Sequence, residues 1–323
     1  MKERIEWIDM AKGYGILLVI YAHLGRDSLW TWMYSFHLPL FFFLSGYVFN
    51  GQRKFGEFVQ KKCKAILVPY FCLGIPMVMF QILLLINAGK FSLKECLWLV
   101  KSLLLQERFW TLWFIACLFC LNLLLYALFR VCKKEWMVSA VSVIMPIMGL
   151  CYYKYGGRPL PWNVDVCAMA IPFFYVGYAC KKYGQMIEER LKEKSVWAVS
   201  FVICASINIV CWKLSLDETG LGLEIFQSNY GNPVFTYIAA FAGIFCLILW
   251  SKTFIIPPIK YIGENSMLYY VWHQTIFIPI AQKILDEIGI IPFKWLSLII
   301  IVGLISVCNW MIKKMKLTWM VGK

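Results

Sequence analysis

Apolar runs of about 17 to 25 residues, each the length that crosses a bilayer as one helix, follow one another along this chain, parted by short basic loops. In hydrocarbon a backbone must satisfy its own polar groups, which a helix does within a single segment. The pattern restricts the chain to an all-α, polytopic membrane bundle. Composition agrees: of 323 residues, 61% are apolar and 15% charged, against roughly 25% charged in ordinary soluble domains.

About ten transmembrane helices are expected, at residues 8–25, 34–50, 66–88, 110–130, 136–153, 164–180, 195–212, 233–251, 261–281 and 295–312. The first run reads as a true span and not a cleavable signal, because Glu6 and Asp9 stand among its bases and no small-residue cleavage site follows. The stretch 91–106 is apolar but carries Lys94, Glu95 and Lys101, which suits an amphipathic interfacial helix. Ten spans put loops on alternate sides. One set, with both termini and loops 51–65, 130–135, 181–194 and 252–260, holds 22 of the 32 lysines and arginines. The positive-inside rule places that set, and both termini, in the cytoplasm.

The net charge of +14 lies in these loops, where it sets orientation against anionic lipid, so no nucleic-acid partner is expected. The thirteen cysteines are scattered, and the CxxC at Cys117 and Cys120 lies inside an apolar run without a second pair. It reads as core thiols; no metal is expected. No soluble appendage or repeat interrupts residues 1–323, which read as a single transmembrane domain. The outer connections 89–109 and 213–232 are lid or acceptor-contact candidates. The second carries Asp217, Glu218, Glu224, Gln227 and Asn229, which suits either a hydroxylated ligand or a solvated loop.

Ionisable groups at membrane depth are costly and mark pathways or sites. The three histidines, His23, His37 and His273, all fall in or at the ends of spans. Lys12 and His23 are eleven residues apart, which leaves them roughly 20° apart around a helix and about 16 Å along it. Asp9 lies on the same side, so one stripe joins a charged inner end to a titratable outer end. The short loop 26–33 returns the chain antiparallel and brings His37 to nearly the depth of His23. Gly46 permits close helix approach and Ser45 a hydrogen bond across it. Pro69 and Pro76 suggest a kinked span, preceded by the basic cluster Arg53, Lys54, Lys61, Lys62 and Lys64. That cluster serves as a topology signal or holds a phosphate-rich cosubstrate. Toward the C-terminus, Glu264, Asn265 and Ser266 stand at an expected helix start, where they serve as caps or site residues, with buried His273 and Gln274 beyond.

These residues resemble, in order along the chain, the acyltransferase 3 family of membrane enzymes. D-x-x-K at Asp9 and Lys12, ten residues before His23, is similar to the family's base-x10-His signature. Phe41, Phe42, Ser45 and Gly46 match F-F-x-x-S-G. KKCKAILVPY resembles R-x-x-R before a proline, with Lys61 and Lys64 where arginine is usual. TLWFIACLF and YIGENSMLYYVWHQTIF resemble later blocks of the stand-alone sugar O-acetylase branch.

The resemblance implies a multi-pass protein of a bacterial cytoplasmic membrane that moves an acyl group, most simply acetyl, from cytoplasmic acetyl-CoA to a hydroxyl of an envelope carbohydrate or lipid-linked glycan precursor. His23 is then the general base, with Asp9 and Lys12 organising the inner end of the stripe. Arg53, Lys61 and Lys64 hold CoA phosphates. His37, Ser45, His273 and Asn265 are of second rank, for acceptor binding or for polarising the thioester carbonyl. Membrane lipid and the glycan acceptor are the expected partners, and a homo-oligomer is left open. The competing classes are a transporter or flippase, which buried histidines also mark, and an amino-acid-handling module of the same family; no inverted repeat favours transport.

Overall fold

The computed structural model describes residues 4–27, 29–219, 223–291 and 293–323, and the side chains of these except 186–188. Among them every regular element is helical, with an isolated bridge between Glu224 and Asn229. In chain order the α-helices are α1 (Glu6–His23), α2 (Trp30–Tyr34), α3 (His37–Tyr47), α4 (Phe55–Lys62), α5 (Val68–Asn87), α6 (Leu93–Leu105), α7 (Leu112–Val131) and α8 (Glu135–Lys154). There follow α9 (Val164–Tyr183), α10 (Gln185–Arg190), α11 (Lys194–Thr219), α12 (Pro233–Thr253), α13 (Pro257–Glu264), α14 (Ser266–Trp272), α15 (Ile278–Ile288) and α16 (Lys294–Lys314).

Among the described residues, seven helices are long and apolar enough to cross a membrane: Phe55–Asn87, Leu112–Val131, Glu135–Lys154, Pro161–Tyr183, Lys194–Thr219, Pro233–Thr253 and Lys294–Lys314. The other three expected spans are helical but differ from it for identifiable reasons. The 18-residue α1 carries Glu6, Asp9 and Lys12 in its first two turns. The run 34–50 is broken at Phe36, whose φ of −142° separates α2 from α3. The run 261–281 is cut at Asn265, after which α14, a π-helical turn over His273–Phe277 and α15 follow without a gap. The expected basic loop 51–65 is largely helix as well. A π-helical turn, Cys63–Leu67, fuses α4 to α5, giving one 33-residue helix with Pro76 inside it. The stretch around 91–106 forms the 13-residue α6, started by Ser92, whose hydroxyl accepts the Glu95 amide.

Two compact units divide the chain. The first comprises residues 1–49, 141–146 and 170–266; the second comprises 50–140, 147–169 and 267–323. In the first, glycine sets the helix spacing. A Cβ on Gly13 would meet the Ile259 carbonyl at 2.1 Å, and one on Gly263 the Asp9 carbonyl at 1.7 Å, so α1 and α13 cross backbone to backbone. The same holds for α3 against the second half of α9. There a Cβ on Gly46 would lie 1.8 Å from the Phe174 carbonyl, and one on Gly177 2.0 Å from that of Phe43. Gly46 thus fills the close-approach role its sequence context suggests, with Ser45 half-buried beside it.

In the second unit Tyr70 is fully buried. Its hydroxyl donates to the Leu103 carbonyl and accepts from Gln106. Asn163 donates to the Gln106 carbonyl and Arg108 to the Asn163 side chain. Gln106, Arg108, Trp110, Trp162 and Asn163 all have positive φ, between 44° and 59°. Such conformations cost about 1 to 3 kcal/mol each, so this polar cluster holds two connections in shapes their sequences would not adopt alone.

Candidate functional site

The last turn of α1 carries His23 and the first turn of α3 carries His37, both in the first unit. The ring of Tyr34, on the five-residue α2, lies 6.3 Å from the His23 ring and 4.7 Å from that of His37, edge-on to the latter at 78°. Trp30 packs on Tyr34 at 4.6 Å, and the Arg26 guanidinium covers Trp30 at 4.7 Å. Asn208 of α11, itself buried, holds α2 in place: it accepts from the Trp32 indole at 2.7 Å and donates to Ser35 and to the Ala239 carbonyl.

All three histidines use Nδ1 in the same way. His23 Nδ1 bonds the Val19 carbonyl at 2.8 Å, His37 Nδ1 that of Met33, and His273 Nδ1 those of Tyr269 and Tyr270. A carbonyl oxygen only accepts, so Nδ1 carries the proton and the neutral ring presents Nε2 as a lone-pair base. His37 is fully buried, and its Nε2 has no hydrogen-bond partner among the described residues. In this tautomer His37 can accept a hydrogen bond but has none to give. A lone pair at Nε2 suits a hydroxyl donor.

At the other end of α1, Asp9 is buried and pairs with Lys12 and Arg4, each at 3.8 Å. Arg4 reaches Glu264 of α13 at 3.7 Å, and Lys260 binds Glu6. The hydrogen bond to Glu6 holds the Lys260 ammonium above its ordinary range. Lys12 is therefore half-buried and neutralised by its neighbour three residues back. Asn265 stands between α13, which it ends, and α14, which starts at Ser266; its side-chain amide donates to the Tyr261 carbonyl.

Glu224 and Asn229 exchange backbone hydrogen bonds, while Leu223, Ile225 and Tyr230 are buried. Asp217 and Glu218 lie on α11 itself. Glu224 is half-buried, and burial raises its carboxyl pKa against the opposing pull of Arg26.

The remaining candidates belong to the second unit. His273 is buried in the π-helical turn, whereas Gln274, expected to be buried with it, is exposed. Lys61 and Lys64 are exposed at the junction of α4 and α5, and Arg53 precedes α4. Cys117 and Cys167 are free thiols whose sulfurs lie 3.8 Å apart. Arg108 and Asp165 form an ion pair at 2.5 Å with side chains 7% and 0% exposed, and Tyr153 joins both.

Four groups escaped the sequence pattern: Tyr34, Asn208, Arg130 and the Arg108–Asp165 pair. A mid-span asparagine and a carboxylate inside an apolar run were visible signals for Asn208 and Asp165. Tyr34 and Arg130 carry none, because tyrosine and arginine are ordinary at span ends.

The sequence profile of a family described as "Acyltransferase domain" matches residues 5–312. The nodulation protein NolL of Sinorhizobium fredii (strain NBRC 101917 / NGR234) is 28% identical over 301 residues, covering 83% of this chain and 77% of that protein. No solved structure matches the chain significantly.

Proposed function

The chain belongs to this acyltransferase family, and from that premise we propose that it is an integral membrane O-acetyltransferase that acylates an envelope carbohydrate or a lipid-linked glycan precursor from cytoplasmic acetyl-CoA. The observation that carries the reading is the bond from His23 Nδ1 to the Val19 carbonyl. It leaves Nε2, at the end of the helix that starts with Asp9 and Lys12, as a base. A sugar hydroxyl is too weakly acidic to attack a thioester unaided. His23 Nε2 takes its proton as the oxygen bonds to the thioester carbonyl carbon. The carbon–sulfur bond then breaks, and the imidazolium returns the proton to the departing CoA sulfur.

Asp9 and Lys12 organise the inner end of the stripe, and His37 accepts a further hydroxyl of the acceptor. Arg53, Lys61 and Lys64 hold the CoA phosphates by charge.

The test is transfer of labelled acetyl from acetyl-CoA to the glycan fraction of membranes by the purified full-length protein, with CoA release followed in parallel. His23→Ala should lower turnover by about 10²- to 10⁴-fold. A near wild-type rate overturns the assignment of the base. Ligand movement across proteoliposomes without CoA would replace the enzyme by a transporter.

A further inference from the structure

On the proposed reading, the donor's phosphates must meet cations, and the lysines at 61 and 64 stand where the family resemblance places arginine. Lysine is a point charge and lacks the planar fork that grips a phosphate through two parallel hydrogen bonds. The second unit supplies that fork from elsewhere in the sequence.

Arg130, in the last turn of α7, donates through Nη2 to the Arg53 carbonyl at 2.8 Å and through Nε to the Tyr126 hydroxyl at 3.1 Å. Tyr126 donates to the same Arg53 carbonyl at 2.9 Å. Arg53 and Arg130, 77 positions apart, are thereby tied at one place. The Tyr126 ring stacks on Phe58 of α4 at 4.4 Å, and the Lys62 ammonium lies over Phe58 at 5.6 Å. The face that α4 turns to α7 thus carries Phe58 and Lys62, whereas Lys61 and Lys64 are exposed.

Positive charge is left over here. Residues 53–64 and 130–135 hold eight lysines and arginines against Glu57 and Glu135. Arg53 and Lys61 both act on Lys62 as like charges. Among the described residues neither Arg53 nor Arg130 is in an ion pair. Arg130 is exposed, with Nε and Nη2 anchored and no hydrogen bond from Nη1 among the described residues. A guanidinium fixed on one edge and open on the other is pre-organised for an anion.

We propose that Arg130, with Arg53 and Lys62, is the phosphate clamp for the nucleotide end of the acyl donor, its ligand being a phosphomonoester or diphosphate. This rests on the donor reading above. Arg130 grips a phosphate with its open edge, Lys62 adds a point charge from α4, and Lys61 and Lys64 supply only the surrounding field.

The experiment uses the full-length protein in detergent. It measures calorimetric binding of adenosine 3′,5′-bisphosphate and steady-state CoA release from acetyl-CoA and from 3′-dephospho-acetyl-CoA, for wild type, Arg130→Gln, Arg130→Lys and Lys62→Gln. Arg130→Gln should raise the KM for acetyl-CoA about tenfold, leave kcat within about twofold and weaken the bisphosphate by the same factor. Arg130→Lys should fall between, and Lys62→Gln should reproduce the effect in a chain whose α7 is untouched. The penalty should be smaller with the dephosphorylated donor, because the lost contact is then already missing.

Equal losses with both donors, or none, overturn the clamp while the donor reading stands. Unchanged nucleotide affinity together with loss of retained anionic lipid, read by native mass spectrometry, reassigns the cations to a lipid headgroup and overturns it as well. A wild-type protein that neither binds the bisphosphate nor releases CoA overturns the donor reading itself.

Discussion

Gly263→Ala should disable acyl transfer from the far end of the helix that carries His23. A Cβ at this position would stand 1.7 Å from the Asp9 carbonyl oxygen and 2.7 Å from the Gly13 nitrogen, where ordinary contact begins at 3.4 Å. Both obstacles are helix backbone, which cannot swing aside as a side chain does. α1 and α13 must separate by on the order of an ångström, and overpacking of this kind costs about 1 to 3 kcal/mol. The ion pairs that tie the two helices, Arg4 to Glu264 and Lys260 to Glu6, are largely exposed. Solvent screens such surface pairs and leaves them little strength against a backbone clash, so the steric term wins and the helices part. His23 sits on the same rigid helix as Asp9. Misplacing a reacting group by about 1 Å costs on the order of 10²-fold in rate. We expect the variant to fold, with a lowered thermal midpoint in detergent, and to transfer the acyl group about a hundredfold more slowly. Gly303→Ala is the control, because nothing lies within 4 Å of its Cβ, and it should match wild type. A Gly263→Ala protein with wild-type midpoint and rate would refute the argument that this crossing sets the position of α1.

Two further outcomes are expected. Asp165→Asn strands the buried Arg108 charge and should cost about 3 to 5 kcal/mol, seen as a steep fall in thermal midpoint. The double variant Arg108→Met with Asp165→Leu should lose less than Asp165→Asn alone, and a larger loss would show that the pair itself stabilises the fold. Burial raises the folded-state pKa of Glu224 above its usual 4.5, so the stability this group lends is complete below that value and is lost as pH rises through the raised pKa. Glu224→Gln should therefore match wild type in thermal midpoint near pH 4 and exceed it at pH 7.5. A lower midpoint at pH 7.5 would mean that attraction to Arg26 outweighs desolvation.

Much of the candidate site was legible because membrane burial makes a polar side chain conspicuous. His23, His37, Asp9 and Lys12 stand out in apolar runs, and the 3.6-residue period alone puts three of them on one stripe. The pairing of His23 and His37 around one ring was foreseeable only as a shared depth, since nothing local points to Tyr34. The error over Gln274 has a plain cause: its neighbour His273 faces inward, and adjacent residues on a helix lie about 100° apart. The helix start expected at Glu264, Asn265 and Ser266 is present, since α14 begins at Ser266, but Asn265 also closes α13, and short polar side chains suit both places.

By itself the sequence determined the solvent. Runs of bilayer length recurring along the chain demand helices, and the polar residues inside them mark where chemistry is affordable. Tertiary structure decided which runs stay whole and which distant residues meet. The run 34–50 breaks at Phe36, an aromatic residue that is no helix breaker, whereas the break at Asn265 lies in the polar triplet Glu264, Asn265 and Ser266. Arg130 reaches Arg53 across 77 positions, and Arg108 reaches Asp165 across 57. Hydropathy is a property of each segment in its solvent, whereas these pairings depend on how helices pack against one another, and no local period encodes that.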